Sequence, residues 1–169
     1  MDYRIEHRER QKFLAFVRKF PHEISSDDND HSIPDFWTEC SEKNLIAPMQ
    51  ALRREGERDL YGLCRPPKDS ETHFNYGIGI LMDEDTDRTE LARMIEKGYS
   101  IWETEPADYA VFKCFGPDSK CLGEAWSKFY KEFIPRTGYM QTNDTDYEIY
   151  SENGEDGLFC ELWVPVKRN

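Results

Sequence analysis

Two stretches near the end of the chain, YEIY at residues 147–150 and LFCELWVPV at residues 158–166, have the aromatic and branched side chains that favour β-strands. Residues 153–157 between them hold two glycines among acidic residues, which is typical of a hairpin loop. Because side chains alternate along a strand, residues 158, 160, 162, 164 and 166 form one unbroken apolar face. The pattern therefore predicts a hairpin with Glu148 inside its first strand.

A carboxylate in a strand with such neighbours has two interpretations. Glutamate is almost never fully buried without a partner, so Glu148 is either solvated or paired with a basic side chain across the sheet, or it forms the floor of a ligand pocket. Glu161 is the other acidic candidate, but it lies opposite the apolar face of its own strand, on the side of Trp163. Strand alternation thus favours Glu148 over Glu161 as a pocket residue.

The charge balance bounds the classes of partner. The chain has 169 residues, the size of one domain, and carries 34 acidic against 22 basic residues, for a net charge of -12. Phosphate binding needs clustered cations, so the composition disfavours direct nucleic-acid binding. A negative field concentrates cations and favours a cationic ligand, although solubility alone explains the same charge.

The remaining composition predicts a cytoplasmic protein without a membrane segment. The charged N-terminus lacks the apolar run of a signal peptide, and no 18-residue apolar stretch occurs. Five cysteines without a CxxC pair fit reduced thiols, and four scattered histidines show no metal-ligand spacing. The GIG sequence at residues 77–79 lacks the third glycine of a dinucleotide-binding loop. We therefore expect no metal and no cofactor.

The order of predicted elements repeats. A strand pair at residues 4–9 and 12–20, a helix from Ser32 and a strand pair at 60–65 and 74–82 come first. A strand pair at 99–104 and 108–115, a helix opened by Pro117 and the 147–166 hairpin follow. The repeat predicts one domain over residues 1–169, with halves at about 1–83 and 98–169 and a ligand cleft between them. In this repeat, Gly62 of the first half is the position equivalent to Glu148 of the second half.

Five further motifs, in order along the chain, carry a resemblance. They are PADYAVF at 106–112, FGP at 115–117, GY at 138–139, DYEIY at 146–150 and ELWVPV at 161–166. Together they resemble the GyrI-like small-molecule-binding family, also called the AraC-type effector-binding domain. IPDFW at 33–37 resembles the first helix of its stand-alone members. The loop at 25–30 and the acidic segment at 83–90 depart from the family pattern.

The resemblance implies an α+β fold of two pseudo-symmetric βαββ-like halves that form an antiparallel sheet with two main helices on one face. It also implies a pocket for hydrophobic, often cationic compounds, as in bacterial multidrug-binding proteins related to transcription regulation. The family's pocket glutamate falls on Glu148. Many relatives attach this domain to a DNA-binding helix-turn-helix, for which this chain has no room.

Aromatic walls would strengthen such a pocket, because each desolvated ring attracts a cation by about 0.5 to 2 kcal/mol. The aromatic candidates are Trp37, Tyr76, Trp102, Trp126 and Tyr150. Ordinary core packing is the alternative for each of them, and Trp126 lies on the apolar stripe of the second helix. Burial is expected to raise the pKa of Glu148, and hydroxyl donation from Tyr76 or Tyr150 would oppose that shift.

Three functions fit these residues. The first is a binding module that senses or sequesters lipophilic, cationic small molecules. The second is a hydrolase that opens cyclopropane-containing compounds, as some GyrI-like relatives do, with Glu148 as the catalytic base. The third is an acidic interaction protein with a protein partner, of the gyrase-inhibitor type. The three functions differ in whether a compound is bound and left unchanged, is consumed, or is not needed at all.

Overall fold

The structure, a computed structural model, describes residues 2–21, 32–65, 73–152 and 154–169. The predicted loop at 25–30 and Asn153 of the predicted hairpin loop lie outside these ranges. The strands are β1 (Arg4–Arg8), β2 (Gln11–Pro21), β3 (Leu60–Arg65), β4 (His73–Leu81), β5 (Ser100–Thr104), β6 (Ala107–Phe115), β7 (Tyr139–Gln141), β8 (Asp146–Tyr150) and β9 (Leu158–Arg168). The helices are α1 (Ser32–Glu42), α2 (Ile46–Gln50), α3 (Arg88–Glu96), α4 (Lys120–Lys128) and α5 (Ile134–Thr137).

The described strands form one antiparallel sheet in the order β1-β6-β9-β8-β3-β4-β2-β5, with β7 paired to β9. Equivalent strands of the two halves lie at equal distances from the two ends of this order. The centre of the sheet is therefore the β3–β8 pair. In that pair Gly62 lies directly opposite Glu148. The position that sequence comparison of the halves matched to Glu148 is thus also its neighbour in space.

The expected pairing of the first two strands of each half is wrong. β1 pairs with β6 and β5 pairs with β2, so each half places its edge strand on the other half's part of the sheet. A two-residue hairpin needs a residue with positive φ, and none of Glu9, Arg10, Glu105 and Pro106 has one. The chain therefore crosses to the other half instead of turning back. We propose that this exchange makes the two halves a single domain.

The two faces of the sheet differ in what covers them. Helices cover one face, where Phe36 and Cys40 of α1 pack with β4, and Phe129, after α4, packs with β6 and β9. The other face carries a cluster without helical residues, built from Phe13, Ala15, Tyr61, Leu63, Leu81, Trp102, Tyr109, Val111, Tyr147, Ile149 and Trp163. The predicted α+β architecture, with its main helices on one face of an antiparallel sheet, is confirmed.

The second main helix is longer than its regular part. After α4 the chain makes a π-helical turn at Phe129–Phe133 and continues as α5 to Thr137, with Pro135 in its first turn. Gly138 ends it in a left-handed conformation at φ 78°. No helix in the described ranges is both long and apolar enough to span a bilayer.

Candidate functional site

The candidate site is built around Glu148, in the middle of β8. Its backbone lies between Gly62 of β3 and Leu162 of β9, close to the centre of the sheet. Alternation along β8 places Tyr147 and Ile149 in the helix-free cluster, so the Glu148 side chain extends toward the helix-covered face. It is partly buried there, on the face that the sequence predicted.

Two phenols bind the Glu148 carboxylate. The Tyr150 hydroxyl donates to Glu148 Oε1 at 2.6 Å, and the Tyr76 hydroxyl donates to the same oxygen at 3.0 Å. Trp37 Nε1 of α1 in turn donates to the Tyr76 hydroxyl at 2.8 Å. The donation to Glu148 from Tyr76 and Tyr150 agrees with the sequence-based expectation, and the link to α1 through Trp37 is new.

Gly62 makes room for this hydrogen-bonded group. A Cβ atom at Gly62 would lie 2.2 Å from the Tyr76 hydroxyl oxygen and 2.7 Å from Glu148 Oε1. These distances are shorter than van der Waals contact, so a side chain at position 62 and the present hydrogen bonds exclude each other. The asymmetry between the halves, glycine in one and glutamate in the other, therefore has a steric cause.

Glu148 has no counter-ion among the described residues. No ion pair among the described residues includes it. Burial raises the pKa of Glu148, and the hydrogen bonds from Tyr150 and Tyr76 act in the opposite direction. Burial also raises the pKa of both phenols, so they remain protonated donors at neutral pH. A carboxylate held in this way gains more from a cation than a solvated one does.

Asp146 is a second carboxylate on the same face, and the sequence analysis did not single it out. It is two residues before Glu148 on β8 and is also partly buried. Burial, and then the negative charge of Glu148, raises the pKa of Asp146 well above its usual range. The signal was present in the DYEIY motif, because strand alternation places its first and third residues on one face.

The structure brings Trp37 to Glu148 and leaves Trp126 farther along the same face. The Trp37 ring lies edge-on to Tyr150, with 5.0 Å between ring centroids. Trp126 of α4 stacks on Tyr130 at 5.8 Å and makes no described contact with Glu148. Of the predicted aromatic residues, Trp37, Tyr76 and Tyr150 form one group with the carboxylate.

Two predicted residues lie on the opposite face of the sheet. Trp102 pairs with Phe13 and packs in the helix-free cluster, where its Nε1 donates to Thr145 Oγ1 at 3.0 Å. Glu161 forms an ion pair with Arg4 at 3.0 Å and accepts a hydrogen bond from Trp163. The structure therefore does not bring Trp102 or Glu161 to Glu148, because alternation sends their side chains the other way.

Two cavities of about 530 Å³ each lie away from Glu148. One is beside β6 and α4 and is lined by Tyr3, Phe112 and Cys121; the other is lined by Arg65, Glu103 and Asp144. Within the described ranges, no group of three or more His, Cys, Asp or Glu side chains is arranged to hold a metal ion.

The fold agrees with that of other proteins. The model of one family, described as integron-associated effector binding protein, matches residues 4–166. Among curated proteins, none matches the chain.

Solved structures cover nearly the whole chain. SAV2435 bound to tetraphenylphosphonium has a TM-score of 0.78 at 20% identity, over 99% of this chain and 94% of that one. A putative transcription regulation protein from Staphylococcus aureus MU50 has a TM-score of 0.72 at 19% identity, over 99% of both chains. An integron cassette protein from the mobile metagenome of Vibrio cholerae has a TM-score of 0.66 at 15% identity, over 98% and 95%. At these identities the likeness shows the fold, which is the GyrI-like one that the sequence motifs indicated.

Proposed function

The chain belongs to the family of integron-associated effector binding proteins, and we propose that it takes up a lipophilic aromatic cation with Glu148 as the counter-ion. One observation carries the proposal. The Glu148 carboxylate is partly buried on the helix-covered face, and the hydrogen bonds that described side chains donate to it come from two neutral phenols. The phenols offer the carboxylate hydrogen bonds but no positive charge. A cation that reaches Glu148 forms an ion pair with it, and the ion pair is strong because the dielectric constant of the site is low.

The surrounding rings suit an aromatic ligand. Trp37 and Tyr150 meet edge-on beside Glu148, and Phe159 packs edge-on against Tyr150 at 5.5 Å. Each ring that a cation reaches adds about 0.5 to 2 kcal/mol of attraction in a desolvated site. Because the two rings pack against each other and Tyr150 bonds Glu148, we expect Trp37 and Tyr150 to contact a ligand that reaches the carboxylate. The lipophilic cation bound to the structural relative SAV2435 has this chemistry.

The same geometry supports binding better than turnover. A hydrolase needs a water within reach of Glu148 and a stabilising group for the charge that develops on the substrate. Both phenols already donate to the carboxylate, which leaves them less able to stabilise a substrate oxyanion. We therefore propose a protein that senses or sequesters its ligand and releases it unchanged.

The test compares a cation with its neutral analogue. Tetraphenylphosphonium and triphenylphosphine oxide are titrated by calorimetry into wild-type protein, Glu148→Gln and Glu161→Gln. We expect the cation alone to bind wild type, and Glu148→Gln to weaken it at least about tenfold, which corresponds to 1.4 kcal/mol. Glu161→Gln removes the same charge from the other face and should leave the affinity unchanged.

Three results would contradict the proposal. They are equal affinity of the cation for wild type and Glu148→Gln, equal loss in both variants, and tight binding of the neutral oxide. Mass spectrometry of a cyclopropane-containing compound after incubation addresses turnover. Addition of water by wild type but not by Glu148→Gln would replace the binding module with the hydrolase.

A further inference from the structure

Asp146 and Glu148 present two carboxylates on one face of the same strand. Both belong to β8, and their side chains lie on the face opposite Tyr147 and Ile149. Residues i and i+2 of a strand are about 7 Å apart along its axis. The two acids are thus close enough to repel each other and far enough apart to meet two separate charges.

The two carboxylates differ in their partners. Glu148 accepts two hydroxyl donors, whereas no described side chain donates a hydrogen bond to Asp146 or forms an ion pair with it. Asp146 lies opposite Cys64 of β3, whose thiol supplies no positive charge. The Asp146 carboxylate can therefore form an ion pair with a ligand that reaches both acids, without losing a hydrogen bond to a described side chain.

The side of the site near Asp146 also carries aromatic rings. Burial, with a smaller contribution from the Asp146 charge, raises the pKa of Tyr130, and Trp126 stacks on Tyr130. Trp37 and Tyr150 stand at the Glu148 end. The α1 side of this face therefore contributes an aromatic group at Glu148, and the α4 side contributes Trp126 and Tyr130.

We propose that Asp146 and Glu148 together select rigid aromatic dications, with one cationic centre at each carboxylate. The inference rests on the proposed function and narrows its ligand class from monocations to dications. A 4,4′-bipyridinium fits this description, since its two nitrogens are separated by about 7 Å, the spacing of residues i and i+2 on a strand. Its flat rings match the walls at both ends of the site.

The selection has a simple electrostatic origin. The negative charge of Glu148 adds to the burial that raises the pKa of Asp146, and a monocation at Glu148 still leaves Asp146 without a counter-charge. A dication neutralises both and removes their mutual repulsion. Asp146 therefore acts as a specificity-determining residue for charge number, and Glu148 as the residue that any cation needs.

The experiment uses two probes of nearly the same shape. Methyl viologen carries two charges and N-methyl-4-phenylpyridinium carries one, and both are titrated into full-length protein by calorimetry at low salt. Wild type, Asp146→Asn and Asp85→Asn are compared. Asp85→Asn makes the same charge change at an exposed position in the segment before α3.

We expect wild type and Asp85→Asn to bind the dication at least about tenfold more tightly than the monocation, a preference of 1.4 kcal/mol. Asp146→Asn should abolish that preference and leave the monocation affinity within about twofold of wild type. The proposal is overturned if wild type shows no preference, or if Asp146→Asn weakens both probes equally. Tetraphenylphosphonium separates the two proposals: if it binds through Glu148 while methyl viologen gains nothing, only the dication inference fails. Thermal unfolding of each variant verifies that it is folded.

Discussion

Each face of the central sheet holds a charged side chain to which the described residues supply no opposite charge. Aromatic residues stabilise the two charges in different ways. On the helix-free face the Arg8 guanidinium lies 4.3 Å from the ring centroid of Trp163, 5.6 Å from that of Tyr147 and 5.9 Å from that of Tyr61. Its Nη1 donates to the Tyr61 hydroxyl at 3.1 Å, and no described carboxylate pairs with it. On the helix-covered face Glu148 has two phenol donors instead.

The difference supports our proposal that the helix-covered face takes the ligand. A cation is attracted to the faces of aromatic rings, so the rings around Arg8 stabilise its positive charge in the folded protein. Ring faces repel an anion, and Glu148 can use only the hydroxyl ends of Tyr76 and Tyr150. The molecule thus holds an internal cation among aromatic rings on one face. We propose that the other face repeats this arrangement with an external cation.

The largest expected effect is on the face that is already satisfied. Arg8→Ala removes the cation from three rings and leaves a void among them, so we expect a loss of about 3 kcal/mol in the free energy of unfolding. Arg10→Ala is the control, since Arg10 is exposed and pairs with Glu103 at the surface, where an ion pair contributes about 0 to 1 kcal/mol. Urea unfolding measures both. Similar losses for the two variants would mean that the rings contribute little to holding Arg8.

An intermediate effect is expected at the centre of the pseudo-symmetry. Gly62→Ala places a methyl group against the Tyr76 hydroxyl and the Glu148 carboxylate, so we expect it to destabilise the protein by about 1 to 3 kcal/mol and to weaken cation binding. Gly123→Ala in α4 is the matched control, because a Cβ there meets nothing within 4 Å and alanine favours the helix by up to about 1 kcal/mol. Urea unfolding and calorimetry measure the two effects. A Gly62→Ala protein with unchanged stability and affinity would show that the hydrogen-bonded group has other arrangements.

The smallest expected effect is a gain in stability. Because burial raises the pKa of Glu148 above its unfolded value, the folded state binds the proton more tightly and wild type loses stability as pH rises from the unfolded pKa through the folded one. Glu148→Gln has no such charge, so we expect it to be more stable than wild type at pH 7. The difference should vanish below the unfolded pKa of 4.5. Unfolding measured from pH 4 to 8 tests the trend, and a difference independent of pH would exclude a desolvated carboxylate.

Much of the fold follows from local sequence patterns. The apolar alternation at 158–166 and the stripe of Leu122, Trp126, Phe129 and Phe133 depend only on residue periodicity, and the structure contains the strand and the helix that they predict. The comparison of the halves matched Gly62 to Glu148, and the structure adds that the two lie opposite each other in the β3–β8 pair. Alternation along β9 predicted that Glu161 lies on the side of Trp163, and Trp163 belongs to the helix-free cluster.

Other features depended on how distant strands meet. Local propensity identifies β1 and β5 as strands but carries no information on their partners, so the exchange of edges between the halves was missed. Trp102 was a reasonable aromatic candidate by residue type, and only its register opposite Phe13 places it on the wrong face for Glu148. Asp146 was overlooked for a related reason, because an acidic residue at a strand end is ordinarily solvated.

The sequence by itself determined the strands, the two main helices and the repeat, because each follows from the period of a helix or a strand. Only the tertiary structure decided which aromatic residues join the carboxylate. Trp37 and Tyr76 are 39 residues apart, Tyr76 and Glu148 are 72 apart, and their hydrogen bonds form because β3, β4, β8 and α1 pack together. The reason is physical: periodicity fixes the direction of a side chain, and packing fixes what that side chain meets.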